Sequence, residues 1–196
     1  MGYGKTSFIN SLLKESQVVG EKVLIIQMEE GNRSIFQIKD INYPIKILKI
    51  DNLKDLKNCL KGESKKFKPN RIIIEFNGTE DIKSFKDKLE DKEIKKIMRL
   101  STIYFVADGT KLLNNINNLG YYSVPFIRST DMIIINNTEK IEKENLKKEI
   151  NALRQINQKA FILKVDNKFN LSSKLKEAKV IDNGFFKKFN VKLMYL

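Results

Sequence analysis

The residues with the clearest chemistry stand at the start of the chain, in the stretch MGYGKTS. Gly4, Lys5 and Thr6 match the end of a phosphate-binding loop, which reads Gly, four residues, then Gly-Lys-Ser/Thr. The first glycine of that pattern would fall before Met1. If a nucleoside triphosphate binds here, Lys5 contacts its β- and γ-phosphates and the Thr6 hydroxyl ligates Mg²⁺. The alternative is a glycine-rich helix start that holds no ligand.

Neighbouring residues complete this candidate loop. Gly2 and Gly4 allow the backbone to pass close to phosphate and to turn its N–H groups inward. A helix that begins at Lys5 would point its positive end at the same phosphates. We therefore assign the whole run to nucleotide binding: Gly2, Gly4, Lys5, Thr6 and Ser7.

A carboxylate at the end of an apolar run is the next candidate. Glu75 follows RIII, and Gly78 comes three residues later. A carboxylate in this position can hold Mg²⁺ or its water, and Gly78 would let the backbone approach the γ-phosphate. Glu75 is thus the second candidate catalytic residue, beside Lys5. The alternative is a strand-end carboxylate that caps the following helix.

Glu29 is a third candidate metal ligand. It follows the apolar run 22–28 and is itself followed by Glu30 and Gly31. Acidic residues and a glycine after a strand suit a loop that becomes ordered around Mg²⁺ and the γ-phosphate. An ordinary polar turn is the alternative.

The stretch MIIINNTEK carries chemistry that suits a purine base. A guanine needs a donor for its O6/N7 edge and a carboxylate that accepts from N1 and N2. Asn136 and Glu139 have these functions. The alternative is an Asn-rich turn in which Thr138 caps the next helix.

Six β-branched runs and five helical patterns alternate along the chain and must position these residues. The runs are continuous, as in strands buried on both faces of a parallel sheet. Alternation of strand and helix predicts an α/β fold of the P-loop NTPase type, with a three-layer, doubly wound, mostly parallel sheet and its ligand at the carboxyl ends of the strands. The predicted strands are 22–28, 45–50, 71–76, 102–107, 131–136 and 160–165, and the predicted helices are 5–15, 52–66, 80–99, 140–157 and 172–178.

Two segments do not fit this pattern. A buried strand should lead into the phosphate loop, and none precedes Gly4. Either Met1 is an internal methionine or the chain lacks a central strand, so we interpret 1–196 as a single nucleotide-binding domain without its first strand. The segment 109–130 is long for a connection, and it predicts either a partner or dimer contact or a packed crossover.

The amino-acid composition of the chain limits the kinds of partner and metal that it is expected to bind. The net charge is +13, from 37 basic and 24 acidic residues, but lysines alternate with acidic residues as on solvated helix faces. We therefore expect no nucleic-acid partner. The absence of long apolar runs predicts no membrane span and a cytoplasmic protein. With no histidine and only Cys59, a zinc site within one chain is not expected, and any metal would be held by oxygens, as suits Mg²⁺.

Taken in order, these stretches resemble the CobW/HypB/UreG family of P-loop GTPases. The opening resembles its Gly-x-x-Gly-x-Gly-Lys-Thr loop, IIQMEEG its strand ending in Asn-Glu-x-Gly, and RIIIEFNG its Glu-x-x-Gly segment. FVADG is similar to its Val-Asp, and NNTE stands where the family has Asn-Lys-x-Asp. The resemblance implies Mg²⁺-dependent GTP binding with weak hydrolysis, a role in metal or cofactor insertion, and a client or homodimer partner.

The chain also departs from the family. Asn137 replaces the lysine whose stem stacks on guanine, and Glu139 replaces a shorter aspartate. Only Cys59 stands where CobW-like members have Cys-x-Cys-Cys, and its neighbours Leu56 and Leu60 favour packing. These changes keep open the alternative of a degenerate, non-hydrolysing binding or scaffold module. A kinase is disfavoured because a lid rich in arginine is lacking.

Overall fold

The computed structural model describes residues 4–16, 19–28, 41–76, 80–167 and 171–177. The chain forms two compact units. Of the described residues, the first unit comprises 4–16, 102–167 and 171–177, and the second comprises 19–28, 41–76 and 80–101.

Helices and strands alternate along the described residues. In chain order they are α1 (Lys5–Glu15), β1 (Val23–Gln27), β2 (Ile45–Lys49), α2 (Leu56–Lys66), β3 (Arg71–Glu75), α3 (Ile82–Leu89), α4 (Lys92–Lys95), β4 (Tyr104–Asp108), α5 (Leu112–Arg128), β5 (Met132–Asn136), α6 (Lys143–Ile156), β6 (Phe161–Lys164) and α7 (Leu171–Glu177), with a 3₁₀ turn at Thr138–Lys140. Within these residues no helix is both long enough and apolar enough to cross a bilayer.

The second unit contains a parallel sheet with the strand order β2-β1-β3. Its central strand β1 is buried on both faces, which is why the sequence reads as a continuous apolar run there. The register aligns Gln27 with Glu75, so two polar side chains end neighbouring strands at the same edge of this sheet.

The first unit contains a second parallel sheet, with the order β4-β5-β6. Its central strand β5 is fully buried, and helices α5 and α6 pack against it through one apolar cluster. The register aligns Asp108 with Asn136, and Ile135 with Lys164. Helix α1 packs against α7 in the same unit.

The predicted α/β fold, with parallel strands and alternating helices, is confirmed. All six predicted strands are present, within two residues of their predicted ends. The predicted helix 80–99 is two shorter helices, because Asp91 caps α4 with hydrogen bonds from the backbone N–H groups of Glu93 and Ile94. The end strands β3 and β4 are mostly half-buried, since within the described part of the chain each pairs with a single strand of its own sheet.

The segment 109–130 was predicted without a helix, and that was wrong. Most of it forms α5, which connects the parallel strands β4 and β5. The asparagines and Pro125 of this segment have low helix propensity, so the sequence does not indicate a helix there. The helix is nevertheless packed, because Leu112 and Ile127 are fully buried in the apolar cluster and Ile116 packs against it. Pro125 has no backbone N–H for the helical hydrogen bond to the carbonyl of residue 121, and α5 ends three residues later, at Arg128. The segment is therefore a packed crossover within the first unit.

Candidate functional site

Gly4 sets the direction of helix α1. It is the N-cap residue, with φ of 88° and ψ of 15° in the left-handed region that favours glycine, and its carbonyl accepts a hydrogen bond from the Phe8 backbone N–H at 2.8 Å. The buried face of α1, which includes Phe8 and Leu13, anchors the helix in the first unit. The first turn carries no acidic side chain, so its positive end suits an anion.

The predicted phosphate-binding side chains lie on this first turn. Lys5, Thr6 and Ser7 are all half-buried, at the first three helical positions of α1. This placement agrees with the predicted loop-to-helix arrangement. Their contact with a nucleotide stays a prediction.

Asn136 lies directly against Gly4. Its side chain ends strand β5 and is only 6% exposed. A Cβ atom added to Gly4 would lie 2.6 Å from the Asn136 Nδ2 atom, which is closer than such atoms can approach. The structure therefore brings together the predicted phosphate loop and one of the residues predicted to face a base. The Asn136 amide thus lies directly against the backbone at the start of α1.

A turn after β4 lies beside Asn136. The backbone N–H of Gly109 donates to the Asn136 carbonyl at 2.9 Å, and a side chain at this glycine would collide with Ile141. Asp108 accepts hydrogen bonds from the Thr110 backbone N–H at 3.1 Å and hydroxyl at 2.8 Å. These residues pack the end of β4 closely against the end of β5.

Asp108 also holds the side chain of Asn137. Burial raises the pKa of Asp108, but the hydrogen bonds donated by Thr110 and by Asn137 outweigh burial and hold that pKa below its usual range. Asn137 itself has φ of 59°, a left-handed conformation that asparagine tolerates better than most residues. Asn137 is thus used to shape the turn after β5.

The end of β6 fixes the next residues of this turn. The Thr138 backbone N–H donates to the Val165 carbonyl at 3.1 Å, and its hydroxyl donates to Asp166 Oδ1 at 3.1 Å. Glu139 Oε2 accepts a hydrogen bond from Asn167 Nδ2 at 3.0 Å. The alternative in which Thr138 caps the following helix is wrong, because α6 begins later and its N-cap is Glu142.

Glu75 belongs to the second unit, where it ends β3. Its side chain is only 7% exposed, and its Oε2 accepts a hydrogen bond from Gln27 Nε2 at 2.9 Å. The alternative in which Glu75 caps the following helix is also wrong, since the N-cap of α3 is Asp81. The remaining predicted residues, Gly2, Glu29 and Gly78, lie outside the described residues.

Sequence reasoning missed four of these residues: Gln27, Asp108 as a contact of Asn137, Asp166 and Asn167. All four lie at or just after the end of a parallel strand. That position was the available signal, because ligands of such sheets bind at the carboxyl ends of the strands.

A match to a known family model identifies the family of this chain. The family model described as the CobW/HypB/UreG nucleotide-binding domain matches residues 1–164. The chain belongs to the CobW/HypB/UreG family. Nucleotide binding is therefore the function of the domain to which the chain corresponds. No curated protein matches the chain.

Solved structures agree with this CobW/HypB/UreG fold. The Zn(II)-bound YjiA GTPase from E. coli is 19% identical, with a TM-score of 0.64 over 83% of this chain and 54% of that one. A Zn(II)-bound triple mutant of the YjiA GTPase is also 19% identical, with a TM-score of 0.65 over 84% of this chain and 54% of that one. The chain thus spans about half the length of these proteins.

The described part of this CobW/HypB/UreG chain contains no cluster of side chains that could bind zinc as those Zn(II)-bound relatives do. No group of three or more His, Cys, Asp or Glu residues there is arranged to hold a metal ion. Burial, followed by the nearby Glu63, raises the pKa of the half-buried Cys59 thiol, so that its thiolate form is disfavoured.

Proposed function

We propose that this chain binds GTP with Mg²⁺, hydrolyses it slowly, and acts as a nucleotide switch or accessory factor for insertion of a metal or cofactor into a client. The contact of Gly4 with Asn136 carries the proposal, because it joins the predicted phosphate-binding turn to the predicted base-binding turn within one unit. Solved relatives described as GTPases support GTP as the nucleotide. We expect a client or a second copy of the chain to accelerate hydrolysis.

Each predicted residue keeps a specific role in this proposal. Lys5 supplies positive charge for the β- and γ-phosphates, and the backbone around Gly4 and Ser7 supplies N–H donors. Asn136 and Glu139 recognise the base, the first with its amide and the second with a carboxylate that accepts from N1 and N2.

The donor chemistry fits Mg²⁺. Thr6 offers a hydroxyl oxygen and Glu75 a carboxylate, and oxygen donors are those that Mg²⁺ prefers. The contact of Glu75 with Gln27 involves a neutral amide, so it leaves the negative charge of the carboxylate in place. When bound, the cation would neutralise charge on the phosphates. Glu29 keeps its predicted role as a further carboxylate for this ion.

Titration with GTP and ATP, with and without Mg²⁺, tests this function. We expect GTP binding that Mg²⁺ strengthens and that Lys5→Ala weakens by about tenfold or more, since a direct phosphate contact is lost. Lys14→Ala is the matched control, because Lys14 is an exposed lysine in the last turn of the same helix. Absence of binding at roughly 50 µM of either nucleotide would contradict the proposal.

A second candidate is a nucleotide-binding scaffold that does not hydrolyse. Asn137 favours it, because this residue contacts Asp108 and has no aliphatic stem to stack on a base. Phosphate release under saturating GTP separates the two candidates. Slow release that Glu75→Gln abolishes supports the switch, whereas binding with no release above the buffer rate supports the scaffold.

A further inference from the structure

We propose that Asn167 is a positioning residue that holds the Glu139 carboxylate and thereby gives the site its preference for a purine with a 2-amino group. This inference rests on the proposed function, because it concerns the role of Glu139 in reading the base. It goes further by naming a residue after β6 that sets the selectivity of the turn after β5.

The turn that carries Glu139 is fixed by consecutive residues after β6. Val165 binds the Thr138 backbone, Asp166 binds the Thr138 hydroxyl, and Asn167 binds the Glu139 carboxylate, with distances of 3.1, 3.1 and 3.0 Å. The Val165 backbone N–H in turn donates to the Ile135 carbonyl at 2.9 Å, which continues the pairing of β5 with β6. The contacts of Asp166 and Asn167 therefore extend the sheet pairing from backbone to side chains.

Glu139 needs such a contact to act selectively. A glutamate side chain has several rotatable bonds, and an exposed carboxylate must give up this freedom to accept two hydrogen bonds from a base. A hydrogen bond from a neutral amide to a carboxylate is charge-assisted and orients the group. Because Asn167 carries no charge, it leaves the negative charge of Glu139 available to N1 and N2 of guanine. A lysine in the same place would partly neutralise it.

Inosine triphosphate is the probe that isolates this contact. It has the O6, N1 and N7 atoms of GTP but lacks the 2-amino group, so the ratio of GTP to inosine triphosphate affinity reports how well Glu139 reads that group. A residue that only stabilises the fold would weaken both nucleotides equally.

The experiment measures both affinities for the wild-type chain and for Asn167→Ala, Asn167→Asp and Glu139→Gln. We expect wild type to prefer GTP, and Asn167→Ala to reduce the preference by about tenfold, the lower end of the value of one hydrogen bond to a charged group. Asn167→Asp should reduce it at least as much, because a second carboxylate then faces Glu139. Asn167→Ala should add nothing in the Glu139→Gln background.

Asn145→Ala is the matched control. The Asn145 side chain donates to the exposed Glu142 carboxylate at 3.4 Å on the surface of α6, so it repeats the same chemistry away from the turn. It should leave the ratio unchanged. Melting temperatures of all variants check folding, and the near-isosteric Asn167→Asp keeps the test valid if Asn167→Ala is unstable.

The outcomes separate this inference from the function on which it rests. If wild type binds no GTP, both are overturned. If wild type binds GTP and inosine triphosphate equally, nucleotide binding stands but Glu139 does not read the 2-amino group, and the inference is overturned. If Glu139→Gln removes the preference while Asn167→Ala retains it, Glu139 keeps its role and Asn167 loses the one proposed here.

Discussion

Gly4 is constrained both by its backbone conformation and by its packing against a neighbouring side chain. Two separate conditions apply there: a left-handed backbone with φ of 88°, and the side-chain amide of Asn136 where a Cβ atom would be. The first condition disfavours other residues, and the second excludes a side chain unless Asn136 moves. Since Asn136 is almost fully buried, it has little room to do so.

Replacement of Gly4 by alanine should weaken GTP binding. We expect a loss of about tenfold or more in affinity, because the added methyl group displaces Asn136 or the start of α1. Gly20→Ala is the matched control: Gly20 has φ of 77°, but a Cβ atom there would meet nothing within 4 Å. The control should cost only about 1 kcal/mol of stability from backbone strain. Fluorescence titration and thermal melts measure the two effects.

A second variant checks the cause of that loss. Asn136→Ser in the Gly4→Ala background removes the amide that collides with the methyl group. It should restore part of the thermal stability without restoring GTP affinity. If Gly4→Ala binds GTP as well as Gly20→Ala does, the close packing of Gly4 on Asn136 has no role in the site.

The sequence could predict some of these residues but not their partners. Gly4, Lys5 and Thr6 form a contiguous pattern whose chemistry depends on local order alone. The contact of Asn167 with Glu139 joins residues 28 positions apart, so it depends on the register of β6 against β5. Nothing in the residue types at these two positions indicates that pairing.

At the scale of elements, α6 has a feature that its helical pattern does not reveal. The sequence predicts a helix with a charged outer face, yet Glu149 is only 3% exposed. Its carboxylate accepts a hydrogen bond from the Leu113 backbone N–H in the first turn of α5. Its Oε2 atom has no hydrogen-bond partner within the described part of the chain. Burial, and to a lesser extent the nearby Asp108, raises the pKa of Glu149 to about 7.

This pKa makes the stability of the first unit depend on pH. Between the ordinary glutamate pKa near 4.5 and the folded value of about 7, the folded state binds more protons than the unfolded state. The contribution of Glu149 is therefore full below about pH 4.5, falls as pH rises to about 7, and changes little above that.

Glu149→Gln should remove this dependence. Glutamine stays neutral and keeps an oxygen for the Leu113 N–H, so we expect the variant to be more stable than wild type at about pH 8, by roughly 2–3 kcal/mol. Glu144→Gln, an exposed glutamate of the same helix, is the control and should change stability little. Denaturant unfolding at several pH values measures both. Parallel pH profiles for wild type and Glu149→Gln would show that Glu149 does not titrate in this range.

For the whole molecule, the order of elements could be predicted better than their burial. Strands β1 and β5 carry continuous apolar runs because each is the central strand of a three-stranded sheet. Strands β3 and β4 have similar runs but lie at the ends of their sheets, and residue type alone does not distinguish the two situations. Helix α5 was missed because Asn and Pro outweigh three well-spaced apolar residues in local preference, whereas packing decides the fold.

The net charge of +13 is the remaining property of the whole chain that bears on function. Part of this positive charge is locally balanced, as where Lys57 contacts both Asp91 and Glu93 on the surface of the second unit. Such a distribution attracts polyanions weakly and at long range, and the attraction decays over about 10 Å at 0.1 M salt. A phosphate-binding site formed by fixed hydrogen-bond donors depends on short contacts, so added salt lowers its affinity much less than it lowers this long-range attraction.

Salt should therefore separate nucleotide binding from charge attraction. Between about 50 and 200 mM salt, affinity for a single-stranded RNA oligomer should fall by about tenfold or more, while GTP affinity should fall only a few-fold. Lys5→Ala should weaken GTP binding and leave RNA binding almost unchanged, because one of many cations is lost from a diffuse surface. If RNA instead still binds at 200 mM salt and competes with GTP, a polyanion binds at the first turn of α1. The positive charge of the chain would then contribute to that site and not only to a diffuse attraction.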